Sequence, residues 1–205
     1  MQSNDFKNLV LPWYNGLVNL NKDLLTSSFN EIGLDFQSVI VQQLIDQHDR
    51  GHIHSISFYQ QLSELSSKRF TEEGFISAYS SGINNWNEKL ISFIIENYSD
   101  FNFFLMGKSN GIHHRHFEEK FQLKYGLRTN NLFEYAQYSH ILGMSAQDPR
   151  FMKYFWRRTE LNPEETTFLI SSGQNDEINA ALYRIIPIDE FLDNLYPNQH
   201  EYKSS

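Results

Sequence analysis

From Trp86 to Pro187, short apolar runs alternate with segments of helical periodicity, and no other feature constrains the fold of this chain more. Asn102 to Met106, Glu134 to Tyr138, Thr166 to Ile170 and Arg184 to Pro187 read as strands. Between them, Leu90, Ile94 and Tyr98 form a helical stripe, and Phe117 and Phe121 belong to a helix reaching Tyr125. Asp148-Pro149 opens a helix running to about Thr159, and Asp176 to Leu182 reads as another. Strands separated by helices imply right-handed crossovers and a parallel sheet covered on both faces. One further strand stands apart: Lys7 to Leu11 is nearly all apolar after Asn8, as burial on both faces requires. The expected fold is α/β, a doubly wound parallel sheet. Ligands in such sheets bind beyond the carboxyl ends of the strands.

Between the first strand and Trp86 the pattern changes. Leu25, Phe29 and Ile32 fall at helical spacing, as do Phe58, Leu62 and Leu65, and Thr71 with Glu72 and Glu73 marks a helix start. The reading is an all-helical subdomain, residues 19–85, inserted into a core made of residues 1–18 and 86–205. At the far end, Ile188 to Tyr196 is amphipathic and expected to pack on the core.

Composition narrows the function classes. The absence of cysteine excludes disulfides, thiolate nucleophiles and cysteine zinc sites, and fits a reducing, cytoplasmic setting. A net charge of −8 disfavours nucleic acid, which demands a concentrated basic surface. No apolar run approaches the roughly 18 residues of a membrane span. Expected partners are therefore a small molecule or another protein, with neither nucleic acid nor membrane.

The segment from Asn8 to Asn21, NLVLPWYNGLVNLN, joins the first strand to an aromatic, polar and glycine-bearing loop. It resembles the opening of the haloacid dehalogenase (HAD) superfamily of phosphatases, in the branch with a helical cap. Gln47 to Phe58 (QHDRGHIHSISF) resembles the cap's glutamate- and glycine-rich stretch, and Leu105 to His113 (LMGKSNGIH) the family's second motif. Leu132 to Met144 (LFEYAQYSHILGM) and Asn162 to Ala181 (NPEETTFLISSGQNDEINAA) resemble the later motif regions in the same order and at similar spacing.

The resemblance implies a Rossmann-like core and a helical cap, but the residues at the reacting positions differ. Where the family carries its aspartate nucleophile stands Pro12, and Tyr14 replaces the acid two residues on. Gly107 falls where a phosphate-binding hydroxyl is expected, Ala146 where the family has its lysine, and Ile170, Ser171 and Ser172 where carboxylates would hold magnesium. The expectation is a catalytically inactive HAD-like protein, a pseudo-phosphatase acting by ligand or protein binding, with no catalytic residue, no metal site and no cofactor. The alternative is an active magnesium-dependent phosphatase in which carboxylates such as Asp176 or Glu177 have relocated.

Trp13 and Tyr14 are expected either to plug the vacated volume or to line a pocket for a planar or apolar ligand. Lys108 is the cation that the resemblance places in the cleft, and Ser109, Asn110 and Ser172 could add hydrogen bonds. His48, His52 and His54, like His113, His114 and His116, read as solvated loop histidines rather than metal ligands.

Overall fold

In a computed structural model, which describes residues 7–171 and 184–195, five parallel strands form one sheet. They are β1 (Asn8–Pro12), β4 (Asn102–Gly107), β5 (Tyr135–Tyr138), β6 (Thr166–Ile170) and β7 (Arg184–Pro187), in spatial order β5-β4-β1-β6-β7. Val10 lies opposite Phe104 on one side and Phe168 on the other, so β1 is the central strand. The expected helix over Asp176 to Leu182 lies outside the described residues.

Alternation along the strands sends their side chains to two separate cores. Leu9, Leu11, Phe103 and Leu105 face one side, where α5 (Glu88–Asn97), α6 (Gly111–Tyr125) and α9 (Ile188–Leu195) bury Ile91, Phe117 and Phe191 against them. Val10, Phe104, Met106 and Phe168 face the other, covered by Phe151 and Phe155 of α8 (Pro149–Thr159). As the Asp148-Pro149 pair predicts, Asp148 caps α8 by accepting the Arg150 N–H, with Pro149 in the first turn.

Four helices, α1 (Lys22–Glu31), α2 (Val39–Asp49), α3 (Ser55–Leu65) and α4 (Glu72–Ser80), form the cap. Phe29, Phe58, Phe75 and Tyr79 make its own apolar core, to which α6 contributes Ile112. Sequence reading missed an antiparallel pair at its base, β2 (Val18–Asn19) and β3 (Asn85–Trp86). Strands of two residues are too short to show any period.

The loop after β1 turns tightly. Asn15 takes a left-handed φ of 59°, the Leu17 N–H reaches back to the Pro12 carbonyl (3.3 Å), and the Val18 N–H to the Trp13 carbonyl (3.1 Å). A Cβ on Gly16 would stand 2.0 Å from the Pro12 carbonyl oxygen, so only glycine allows this approach.

Candidate functional site at the carboxyl end of the sheet

Three of the four loop positions singled out by sequence share one space. Pro12, Gly107 and Ala146 line a cavity of about 90 Å³ at the end of β1 and β4, whose other walls include Val10, Met106, Phe151 and Phe168. Ile170, half-buried, ends the neighbouring strand β6, with Ser171 half-buried just beyond it. Ser172, Asp176 and Glu177 lie outside the described residues. Among the described residues the corner is therefore apolar, and the one carboxylate that borders it is already engaged. Asp148 accepts from its own helix at Arg150 N (2.9 Å) and from the Arg150 guanidinium (2.5 Å), which holds its carboxyl down at about 2.

The two aromatics of the β1 loop part company. Trp13 does not border this cavity: it is fully buried in the α6-side core, edge-on to Phe117 (4.6 Å between centroids) and Tyr138 (5.6 Å). Alternation explains the correction, because Leu9, Leu11 and Trp13 share one face of the strand. Tyr14 instead points to the cap side, where its hydroxyl lies 2.5 Å from His113 Nδ1.

That contact belongs to a polar cluster that sequence reading did not foresee, centred on Asp49 at the end of α2. Asp49 is almost fully buried (4% exposed). Its carboxylate accepts from Asn110 Nδ2 (2.8 Å), more weakly from the Tyr79 hydroxyl (3.4 Å), and pairs with Lys108 Nζ (2.9 Å). Ser139 Oγ donates to the Asp49 carbonyl (2.6 Å) and accepts from the Ser109 N–H (3.1 Å). A cap residue is thus tied to two segments of the core, the Lys108–Asn110 loop and Ser139. Gly51, two residues on, packs so closely that a Cβ would stand 2.1 Å from the His140 carbonyl oxygen.

The remaining contacts fix protonation. His113 Nε2 lies 2.9 Å from the Tyr79 carbonyl, which can only accept, so Nε2 carries the proton and Nδ1 accepts from Tyr14. Burial lowers His113 to about 4 and raises the Tyr14 and Tyr79 phenols, both of them also through the nearby Asp49 carboxylate. His48, stacked on Phe58 at 4.3 Å, and His140 are likewise lowered by burial to about 4. His48 and His113 are thus buried side chains, not the solvated loop histidines expected from sequence.

Lys108, the cation that the resemblance places in the cleft, is half-exposed and paired with Asp49. Asn110 is fully buried, its Oδ1 capping α6 at Ile112 N and His113 N, so it has no capacity left for a ligand. Ser109 is also fully buried. Asp49, Arg50, Lys108, Ser139 and Ala146 border a second cavity of about 90 Å³. Among the described residues no group of three histidine or acidic side chains is placed to hold a metal ion. The signal for Asp49 was present in the QHDRGH stretch, where an acid precedes a glycine at a helix end, but its partners are 30 and about 60 residues away.

No protein-family model and no curated protein matches this sequence. Solved structures do. A HAD family enzyme of Bacteroides thetaiotaomicron superposes with a TM-score of 0.80 at 19% identity, over 93% of this chain and 98% of that one. A predicted HAD-like family hydrolase of Porphyromonas gingivalis gives 0.80 at 17% identity, over 96% and 98%. A predicted phosphoglycolate phosphatase of Haemophilus somnus gives 0.52 at 16%, over 96% and 100%. At such identities the likeness speaks for architecture, and the five-stranded parallel sheet with flanking helices agrees with it: this chain has the haloacid dehalogenase-like fold.

Proposed function

We propose that this protein is a non-catalytic HAD-fold protein that acts by binding a small molecule or another protein. The observation that carries the reading is the corner formed by Pro12, Gly107 and Ala146. A phosphoryl-transfer site needs a nucleophile, a cation and metal-binding oxygens at one point. Pro12 has no nucleophilic atom, Gly107 and Ala146 no functional group, and Asp148 is committed to Arg150. The two cavities there, each about 90 Å³, fall well below the roughly 300 Å³ at which ligand sites begin.

In this reading Asp49 and Lys108 hold the cap against the core, and a ligand entering the cleft must first separate them. A reducing, cytoplasmic setting fits a chain without cysteine. No described helix is long and apolar enough to cross a membrane. The competing reading, an active magnesium-dependent phosphatase, is favoured by the enzymes among the solved neighbours, one of which holds magnesium and inorganic phosphate. It requires Asp176 or Glu177 to supply the carboxylate.

Calorimetric titration separates the two. The non-catalytic reading predicts no heat of binding for magnesium with inorganic phosphate at millimolar concentration. Saturable binding of both that disappears in the double variant Asp176→Ala, Glu177→Ala refutes it.

A further inference from the structure

On the α6 side of the sheet edge, a cavity of about 590 Å³ lies between α6 and β5, within the usual range of small-molecule sites. Phe133 and Tyr138, both nearly buried, give it an apolar aromatic wall. Around its opening stand two guanidiniums, Arg115 and Arg128, and two carboxylates, Glu119 and Glu134. Among the described residues these four make no ion pair, with one another or elsewhere. Glu118 differs: Thr129 donates to it through both its backbone N–H (3.4 Å) and its hydroxyl, so it belongs to the frame.

A second observation lies at the inner wall. The His114 ring, which lines the cavity, is 4.7 Å from Tyr138, 6.0 Å from Trp13 and 6.2 Å from His140 between centroids. Around it three buried polar atoms, Trp13 Nε1, Tyr138 Oη and His140 Nδ1, lack any hydrogen-bond partner. Each such orphan costs about 1–3 kcal/mol. Burial keeps the Tyr138 phenol protonated and therefore a donor.

Uncommitted charges of both signs over an aromatic wall, with the unpartnered Tyr138 hydroxyl in that wall, define the chemistry of an occupant. We propose that this cavity is a binding site for a small zwitterion with a flat apolar body, an aromatic amino acid. The carboxylate would meet Arg115 and Arg128, the ammonium Glu119 and Glu134, and the body would lie on Phe133 and Tyr138. The site shares no lining residue with the Pro12 corner, so it stands whether or not the cleft is catalytic.

Titration of the full chain with L-phenylalanine, 3-phenylpropionate and phenethylamine tests this directly, since the latter two each lack one charge. The expected result is saturable binding of L-phenylalanine, roughly tenfold or more tighter than either analogue. Arg128→Gln should weaken L-phenylalanine and leave phenethylamine unchanged, and Glu119→Gln should weaken L-phenylalanine and leave 3-phenylpropionate unchanged. Both residues are exposed, so the variants should fold, which circular dichroism checks. No saturable binding of L-phenylalanine, equal affinity for all three probes, or unaltered binding in both variants would overturn the proposal.

Discussion

Two regions at the same end of the sheet, the Pro12 corner and the Asp49 cluster, differ in almost every physical respect. The first is apolar: Pro12, Gly107 and Ala146 meet Val10, Met106 and Phe168 there. The second packs a buried carboxylate, an ammonium, two phenols, an amide and an imidazole into one network. The difference teaches that polar density at a sheet's carboxyl end need not mean catalysis. Here the charged groups tie the cap to the core, while the described residues at the Pro12 corner are apolar apart from Asp148, which is paired with Arg150.

The sharpest way to break that contrast is to remove Asp49. Asp49→Ala leaves Asn110 and Tyr79 without their shared acceptor and frees Lys108, so a loss of about 3–5 kcal/mol in urea unfolding is expected. A loss below about 1 kcal/mol would show that the network holds nothing together.

Acid should attack the same region. The folded-state values of His48, His113 and His140 lie at about 4, below the 6.5 of an unfolded chain. Between those values the unfolded state binds more protons, so stability is complete above pH 6.5 and falls as pH drops towards 4. For fully buried His113 the loss is on the order of 3 kcal/mol. Melting temperature measured from pH 8 to pH 4 should show the decline, and His113→Gln should flatten it.

On the other side of the comparison, Gly16→Ala forces a methyl against the Pro12 carbonyl oxygen and should cost about 2 kcal/mol, read by thermal melting. Lys108→Met leaves the buried Asp49 carboxylate with only neutral donors, and a loss of about 2 kcal/mol is expected in the same assay. Pro12→Asp should have the smallest effect. Restoring one carboxylate to an apolar corner leaves the other vacant positions unchanged, and no phosphatase activity should appear.

Much of the fold was legible because its signals are local. The β6 and β7 strands run from Thr166 to Ile170 and from Arg184 to Pro187, as their apolar runs predict, and α8 begins at the Asp148-Pro149 pair. The β2–β3 pair was not legible, since two residues carry no periodicity. At the site, the apolar corner could be read from single positions, because a proline or an alanine lacks a reacting group wherever it points. Trp13 could not be placed that way: which face it took depended on the register of Leu9 and Leu11. The Asp49 cluster was hidden for another reason. Its members are scattered from Tyr14 to Ser139, and only the closure of cap on core brings them together.

The central claim is that the vacated loops carry out no phosphoryl transfer, and hydrolysis of p-nitrophenyl phosphate by the purified full chain with magnesium measures it most directly. Turnover indistinguishable from a protein-free control is the predicted result. Magnesium-dependent turnover that is lost in the double variant Asp176→Ala, Glu177→Ala would contradict it.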